Sequence, residues 1–167
     1  MPETDHSSAD VLRALLVSAT SSAIFLPGDR DPRLSTFDGL VAVMDQALGG
    51  DEALYATHSF GDAFGDMNAP LRGSAYAATS TLFISAEVLD RQTIIAAVRP
   101  LRTISAVTVS SSTPDALYFF GHETWNRLHV AVALDGASIT LPAARSTPEN
   151  AAAFAAFYPS LIQALRN

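Results

Sequence analysis

Apolar and polar residues alternate most regularly in the stretch 127–142. Two alternating runs flank Asp135-Gly136, a pair that favours a type I′ turn because both central residues of that turn need a positive φ. The turn sets the register of a β-hairpin and places its apolar side chains on one face, in the pairs Leu134 with Ala137, Val132 with Ile139, and Val130 with Leu141. Pattern and turn therefore predict the same hairpin, with one buried face.

Apolar residues at helical spacing predict two helices before the first strand. Ser7 or Ser8 is expected to cap the first of them, over about residues 9–22, and the dense turn segment 27–32 follows it. Ser35 with Asp38 resembles a capping box at the start of the second helix, and Gly49-Gly50 ends that helix.

A third helix closes the chain. Thr147 is the expected N-cap, and Pro148 occupies the favoured first position. Pro159 lies within the helical pattern and is expected to kink or divide the helix. The apolar stripe of this helix should pack against the buried face of the hairpin, and it consists of Phe154, Phe157, Tyr158, Leu161 and Leu165.

Further strands are predicted between the second helix and the hairpin, where apolar runs are separated by turn residues. The runs are residues 52–60, 74–79, 81–88, 93–98, 102–111 and 116–120. The connecting loop 61–73 carries Asp62, Asp66 and Asn68, whose oxygens could bind a hard cation. Their spacing does not match an EF-hand loop, and turn formation explains the same residues.

Charge and composition exclude several functions. The chain has 167 residues and a formal net charge of −7, and it contains neither lysine nor cysteine. Nucleic-acid binding and recruitment to anionic membranes both need clustered cationic side chains, and the arginines here are scattered, so we expect neither. The absence of cysteine excludes disulfide and thiolate chemistry. The sequence also contains no phosphate-binding loop and no nucleophile-elbow motif, and we expect no cofactor.

The N-terminal region predicts a cytoplasmic protein. It is acidic and lacks the basic segment of a signal peptide. The apolar run 11–25 is interrupted by Arg13 and by the polar residues 18–22, and it is shorter than the roughly 20 residues that a membrane span needs.

Five segments occur in an order that is typical of one known family. ALGGDEAL at 47–54 is similar to a helix end and first-strand entry, AYAAT at 75–79 to a second strand, and RPLRTISAV at 99–107 to the approach to a middle strand. Residues 136–141 and 149–165 are similar to the last strand and the final helix. In this order the segments resemble the bacterial pleckstrin-homology-like (PH/GRAM-like) domain family.

The resemblance implies an α+β fold, in which a strongly bent antiparallel β-barrel of about seven strands is plugged by a C-terminal helix. It covers about residues 37–167, preceded by an N-terminal helix and linker at 1–36, within a single compact domain overall. Two N-terminal helices would be additional to the barrel. Phosphoinositide-binding members surround the first inter-strand loop with cationic residues, whereas this loop sets Arg72 against Asp62 and Asp66, so we expect no binding of lipid headgroups.

One arrangement invites comparison with an enzyme, namely His122-Glu123 with His129. A metalloprotease helix needs two histidines four residues apart around the glutamate, and this spacing differs. A loop histidine and a strand histidine on the polar face explain the same residues. A hydrolase or metal enzyme is therefore the less favoured alternative, and we assign no catalytic, cofactor-binding or metal-binding residue.

The favoured interpretation is a non-catalytic protein-interaction or scaffolding module that can self-assemble, because open barrels expose strand edges that pair with other chains. Its candidate interaction surface consists of Arg99, Arg102, Trp125, Arg127 and His129. Another interpretation is a small acidic secretion-chaperone-like binding protein. That protein would have a flat, unclosed sheet and a groove for one client.

Overall fold

The computed structural model describes residues 7–20, 24–25, 31–61, 69–91, 93–111, 128–143 and 147–166. Three helices lie in these ranges: α1 (Ser8–Val17), α2 (Leu34–Leu48) and α3 (Pro148–Ala164). The strands are β1 (Tyr55–His58), β2 (Gly73–Ala78), β3 (Leu82–Val88), β4 (Ile94–Pro100), β5 (Ile104–Ser111), β6 (Leu128–Leu134) and β7 (Ala137–Leu141), with a 3₁₀ turn (Leu101–Thr103) before β5. The predicted strand 116–120 lies outside the described residues. No helix in the described ranges is long and apolar enough to cross a bilayer.

The strands form two antiparallel sheets. The first sheet has the order β1-β2-β3-β4 and the second the order β5-β6-β7. This confirms the α+β class. Within the described ranges, no strand of one sheet is hydrogen-bonded to a strand of the other, so the closed barrel that we predicted is not formed by these residues.

At the outer edge of β1, the start of α3 occupies the position of a neighbouring strand. The Asn150 side chain, at the start of α3, donates from Nδ2 to the Ala56 carbonyl at 2.7 Å, and Asn150 is buried. A helix terminus thus satisfies an edge carbonyl that a barrel would have paired with another strand.

Two apolar cores lie on opposite faces of the first sheet. The first core packs α1 and α2 against one face, and the second lies among the other face, the second sheet and α3. β1 separates the cores, because Ala56 belongs to the first and Tyr55 to the second. All four residues of β1 are therefore buried.

The predicted hairpin is confirmed in both turn and register. Asp135 and Gly136 have φ of 50° and 77°, as a type I′ turn requires. Val130 pairs with Leu141, and the other two predicted pairs also form. The buried face meets the stripe of α3, since its apolar residues share the second core with Phe154 and Leu161.

The starts of α1 and α3 follow the sequence signals, whereas α1 ends at Val17, five residues before the predicted end. Ser7 caps α1, and the Thr147 hydroxyl accepts from the Asn150 N–H at 3.1 Å at the start of α3. The same hydroxyl donates to the Ser18 carbonyl at 2.6 Å, which joins the two helices. α3 runs through Pro159 as one helix, so the prolyl residue does not divide it.

The predicted capping box of α2 is wrong. Arg33 is the N-cap residue, and it makes no side-chain cap hydrogen bond, while Ser35 lies inside the helix. Asp31 takes over the role of the cap, because its carboxylate accepts from the Arg33 backbone N–H at 2.9 Å and from the Arg33 guanidinium at 2.6 and 2.9 Å. Both residues are buried, so an ion pair fixes the entry to α2.

Candidate functional site

A cleft of about 660 Å³ lies at one end of the first sheet, where three segments of the chain meet. The segments are the turn between β2 and β3, the end of β4 with the 3₁₀ turn, and the last turns of α3. We refer to it as the C-terminal cleft. Its lining consists of Ser80, Thr81, Leu82, Pro100, Leu101, Arg102, Ser160, Gln163 and Ala164.

Hydrogen bonds fix two walls of the C-terminal cleft. The buried Thr79 accepts, through Oγ1, from the backbone N–H groups of Thr81 at 3.1 Å and Leu82 at 3.0 Å. The Thr81 carbonyl accepts from the Leu101 N–H at 2.8 Å. The β2–β3 turn and the 3₁₀ turn are therefore one hydrogen-bonded unit.

The lining combines an apolar floor with a polar rim. Leu101 is buried at the floor, and Leu82, Pro100 and Ala164 extend the apolar surface. Hydroxyl and amide groups form the rim together with the exposed guanidinium of Arg102, which is the one charged group of the described lining. An apolar group beside a carboxylate fits such a lining, because guanidinium binds carboxylate through paired hydrogen bonds.

A neighbouring recess of about 350 Å³ extends this surface and shares Ser80 and Thr81 with the cleft. Asp51 and Glu52 line it, together with Leu54, whose side chain is 42% exposed. The combined surface therefore has a cationic end, an apolar middle and an acidic end.

A separate groove of about 310 Å³ lies between the two sheets, beside β4 and β7. We refer to it as the inter-sheet groove. Arg99 donates from Nη1 to Ser85 Oγ at 2.9 Å within it. Glu87, Ile95 and Ile139 also contribute to its lining, so the groove has both charged and apolar groups.

The described residues of the predicted interaction surface do not lie together. Arg99 lines the inter-sheet groove and Arg102 lines the C-terminal cleft. His129 is exposed on the other face of the second sheet, since it alternates with the buried Val130. Trp125 and Arg127 lie outside the described residues, so a single surface stays a prediction.

The residues proposed for metal or acid–base chemistry fall largely outside the described ranges. This holds for His122 and Glu123, and for Asp62, Asp66 and Asn68 of the connecting loop. Within the described residues, no group of three or more His, Cys, Asp or Glu side chains could hold a metal ion. The enzyme alternative and the cation-binding loop both stay predictions.

Among the described residues, Tyr55 has a strongly displaced pKa. Its ring stacks on Phe157 with centroids 5.8 Å apart and meets Phe154 edge-on at 5.1 Å. Burial raises the pKa of its hydroxyl well above the usual value, and the nearby Thr57 hydroxyl opposes that shift weakly, although no hydrogen bond of ordinary geometry joins the two. Tyr55 lines none of the recesses, so we treat it as part of the core.

His58 is a second such group, and it lies fully buried on β1. Its Nδ1 accepts from the Phe60 N–H at 3.1 Å, which places the proton of the neutral ring on Nε2. Burial lowers the pKa of His58 to about 4, against a smaller opposing effect of the Leu16 carbonyl. No hydrogen bond of ordinary geometry satisfies Nε2 within the described residues.

Comparison of the chain with protein-family models, with curated proteins and with solved structures finds no match. The geometry of the cleft is therefore the basis for a functional proposal. Among its lining residues, sequence reasoning singled out only Arg102. A signal for two others was present in α3, where Ser160 and Gln163 lie three residues apart on a helix that is otherwise largely apolar.

Proposed function

We propose that this chain is a non-catalytic protein-interaction module of PH-like architecture, and that its C-terminal cleft binds an extended segment of a partner protein. The observation that carries the proposal is the distribution of groups along the combined surface: a guanidinium, an apolar floor and then two carboxylates. A polypeptide with an apolar side chain, an acidic residue on one side of it and a basic residue on the other complements all three.

The chemistry of the cleft supports binding rather than catalysis. Its hydroxyls belong to Ser80, Thr81 and Ser160, and no histidine lies in the described lining of the cleft or of the adjoining recess. The carboxylates of Asp51 and Glu52 line the recess and not the cleft itself. A hydroxyl becomes a useful nucleophile only when a base lies within hydrogen-bonding reach. Tyr55 and His58, whose pKa values are strongly displaced, are buried away from the cleft.

The order of elements supports the PH-like architecture. Four antiparallel strands are followed by three more and then by a helix, and that helix packs Phe154, Phe157 and Leu161 between the two sheets. The resemblance implies a final helix that plugs a bent barrel, and the packing of α3 against both sheets supports that part of the proposal.

Selection of peptides from a random phage-displayed library on the immobilised chain tests the proposal. We expect selected peptides to carry an apolar residue beside an acidic one. Arg102→Glu should reverse the charge at the cationic end, and Ala164→Trp should fill the floor, so each should weaken binding about tenfold or more. Arg72→Glu is the matched control, because Arg72 is exposed and lies outside the cleft lining. Failure to select peptides, or equal binding to all variants, would rule out the cleft as the binding site.

A second candidate function is the secretion-chaperone-like binding of one client. The unclosed sheets and the inter-sheet groove are the observations that favour it. Peptides bound in this groove should lose affinity on Arg99→Gln and keep it on Arg102→Glu, which is the reverse of the result expected for the C-terminal cleft.

A further inference from the structure

β4 is an apolar strand at the edge of the first sheet. It pairs only with β3 among the described strands, and none of its seven residues is buried. Ile95 and Val98 expose 55% and 46% of their surface on opposite faces of the strand. Proteins usually protect such an edge with charge, a bulge or a covering element, since it can pair with another chain.

The hydrogen bonds that flank the β3–β4 ladder show which backbone groups point outward. Leu89 N–H donates to the Thr93 carbonyl at 3.1 Å, and Leu101 N–H donates to the Thr81 carbonyl at 2.8 Å. The register of β3 and β4 is unbroken between these two hydrogen bonds. In an antiparallel ladder, every second residue pair is therefore hydrogen-bonded. The N–H and C=O groups of the alternate residues in β4 therefore face away from β3, and those residues are Ile94, Ala96 and Val98.

Pro100 agrees with this alternation. It lies two residues beyond Val98 and opposite Leu82, at a position where an N–H would also face outward. A proline is tolerated at such a position of an edge strand because no bond of the ladder is lost.

We propose that β4 pairs with β4 of a second copy of this chain, antiparallel and about a two-fold axis, with Ala96 opposite Ala96 of the second copy. The two sheets would then continue into one. In this register all three outward-facing residues form hydrogen-bonded pairs: Ala96 pairs with Ala96 of the second copy, and Ile94 of each copy pairs with Val98 of the other. Each such pair exchanges two backbone hydrogen bonds, which gives about six in all.

The side chains of β4 complement a second copy of the same strand. Ile95 lies opposite Ala97 of the second copy, a large residue beside a small one, and the β-branched Ile94 and Val98 meet on the other face. Arg99 is the one charged residue of the strand, and it lies opposite the neutral Thr93 of the second copy. No like charges oppose one another, and the exposed apolar surface of Ile95 and Val98 becomes covered. The proposal does not depend on the C-terminal cleft.

Analytical ultracentrifugation from about 1 µM to about 1 mM tests the pairing. We expect the wild-type chain to form a dimer. Val98→Lys places a charge on the edge, and Ala96→Pro removes an outward N–H without removing a bond to β3, so each should weaken the dimer about tenfold or more. Val109→Lys is the matched control, because Val109 on β5 is 45% exposed and should leave dimerisation unchanged. A wild-type monomer throughout, or a dimer that both β4 variants leave intact, overturns the proposal.

The register has its own test, which uses the absence of cysteine from the chain. Ala96→Cys should form a disulfide-linked dimer on oxidation, since the two positions lie directly opposite one another. Val98→Cys should not, because the two cysteines would lie four residues apart along the paired strands, or about 13 Å. Efficient cross-linking through position 98 and not through position 96 overturns the register.

Discussion

His58 should make the stability of this protein sensitive to mild acid. The unfolded chain takes up a proton at this residue near pH 6.5, whereas burial lowers the pKa in the folded chain to about 4. Unfolding therefore takes up a proton between these values, so the free energy of unfolding falls as the pH falls from 6.5 towards 4. The loss from this one group amounts to about 2 kcal/mol at pH 5 and about 3 kcal/mol at pH 4. Protonation also converts Nδ1 into a donor and removes its hydrogen bond from Phe60.

Urea unfolding at a series of pH values measures this effect. His58→Asn keeps a side-chain acceptor for the Phe60 N–H but cannot take up the proton, so the difference between wild type and variant isolates the contribution of the imidazole. Between pH 7 and pH 4, the free energy of unfolding of the wild type should fall by about 3 kcal/mol more than that of the variant. His129→Asn is the control and should keep the wild-type profile, because His129 is exposed in the folded chain. Parallel profiles for wild type and His58→Asn would refute the reasoning.

Three further substitutions probe the cores by urea or thermal unfolding. Tyr55→Phe removes a buried hydroxyl that has no partner among the described residues, so it should stabilise the chain by about 1 kcal/mol, and a clear loss of stability would contradict this. Arg33→Leu leaves the Asp31 carboxylate buried without its guanidinium and should cost about 3–5 kcal/mol, which an unchanged urea midpoint would contradict. Val132→Asp puts a polar group in the second core at a cost of about 2–7 kcal/mol, and a folded variant of wild-type stability would disprove the placement of the hairpin.

The elements that could be predicted from the sequence are those whose signals are local. The hairpin followed from its turn residues and its alternation, and the start of α3 followed from Thr147 and Pro148. The start of α2 did not, because the Asp31 carboxylate takes the place of the predicted capping box and the burial that strengthens its pairing with Arg33 comes from the surrounding fold. Closure of the sheets depends likewise on long-range contacts. Asn150 reaches Ala56 across 94 positions of the sequence, and no local pattern encodes that distance.

The candidate site was beyond prediction for the same physical reason. Its walls come from the β2–β3 turn, the 3₁₀ turn and the end of α3, and no local periodicity brings these three segments together. The sequence identified Arg102 as a cation two residues after Pro100, but it did not show the groups that surround the guanidinium, and these groups determine what it binds. In a chain with a net charge of −7, the folded arrangement places this cation on an apolar floor, with Asp51 and Glu52 confined to the adjoining recess. This separation of charge arises from the tertiary packing, and under the proposed function it would give a bound polypeptide a defined direction across the surface.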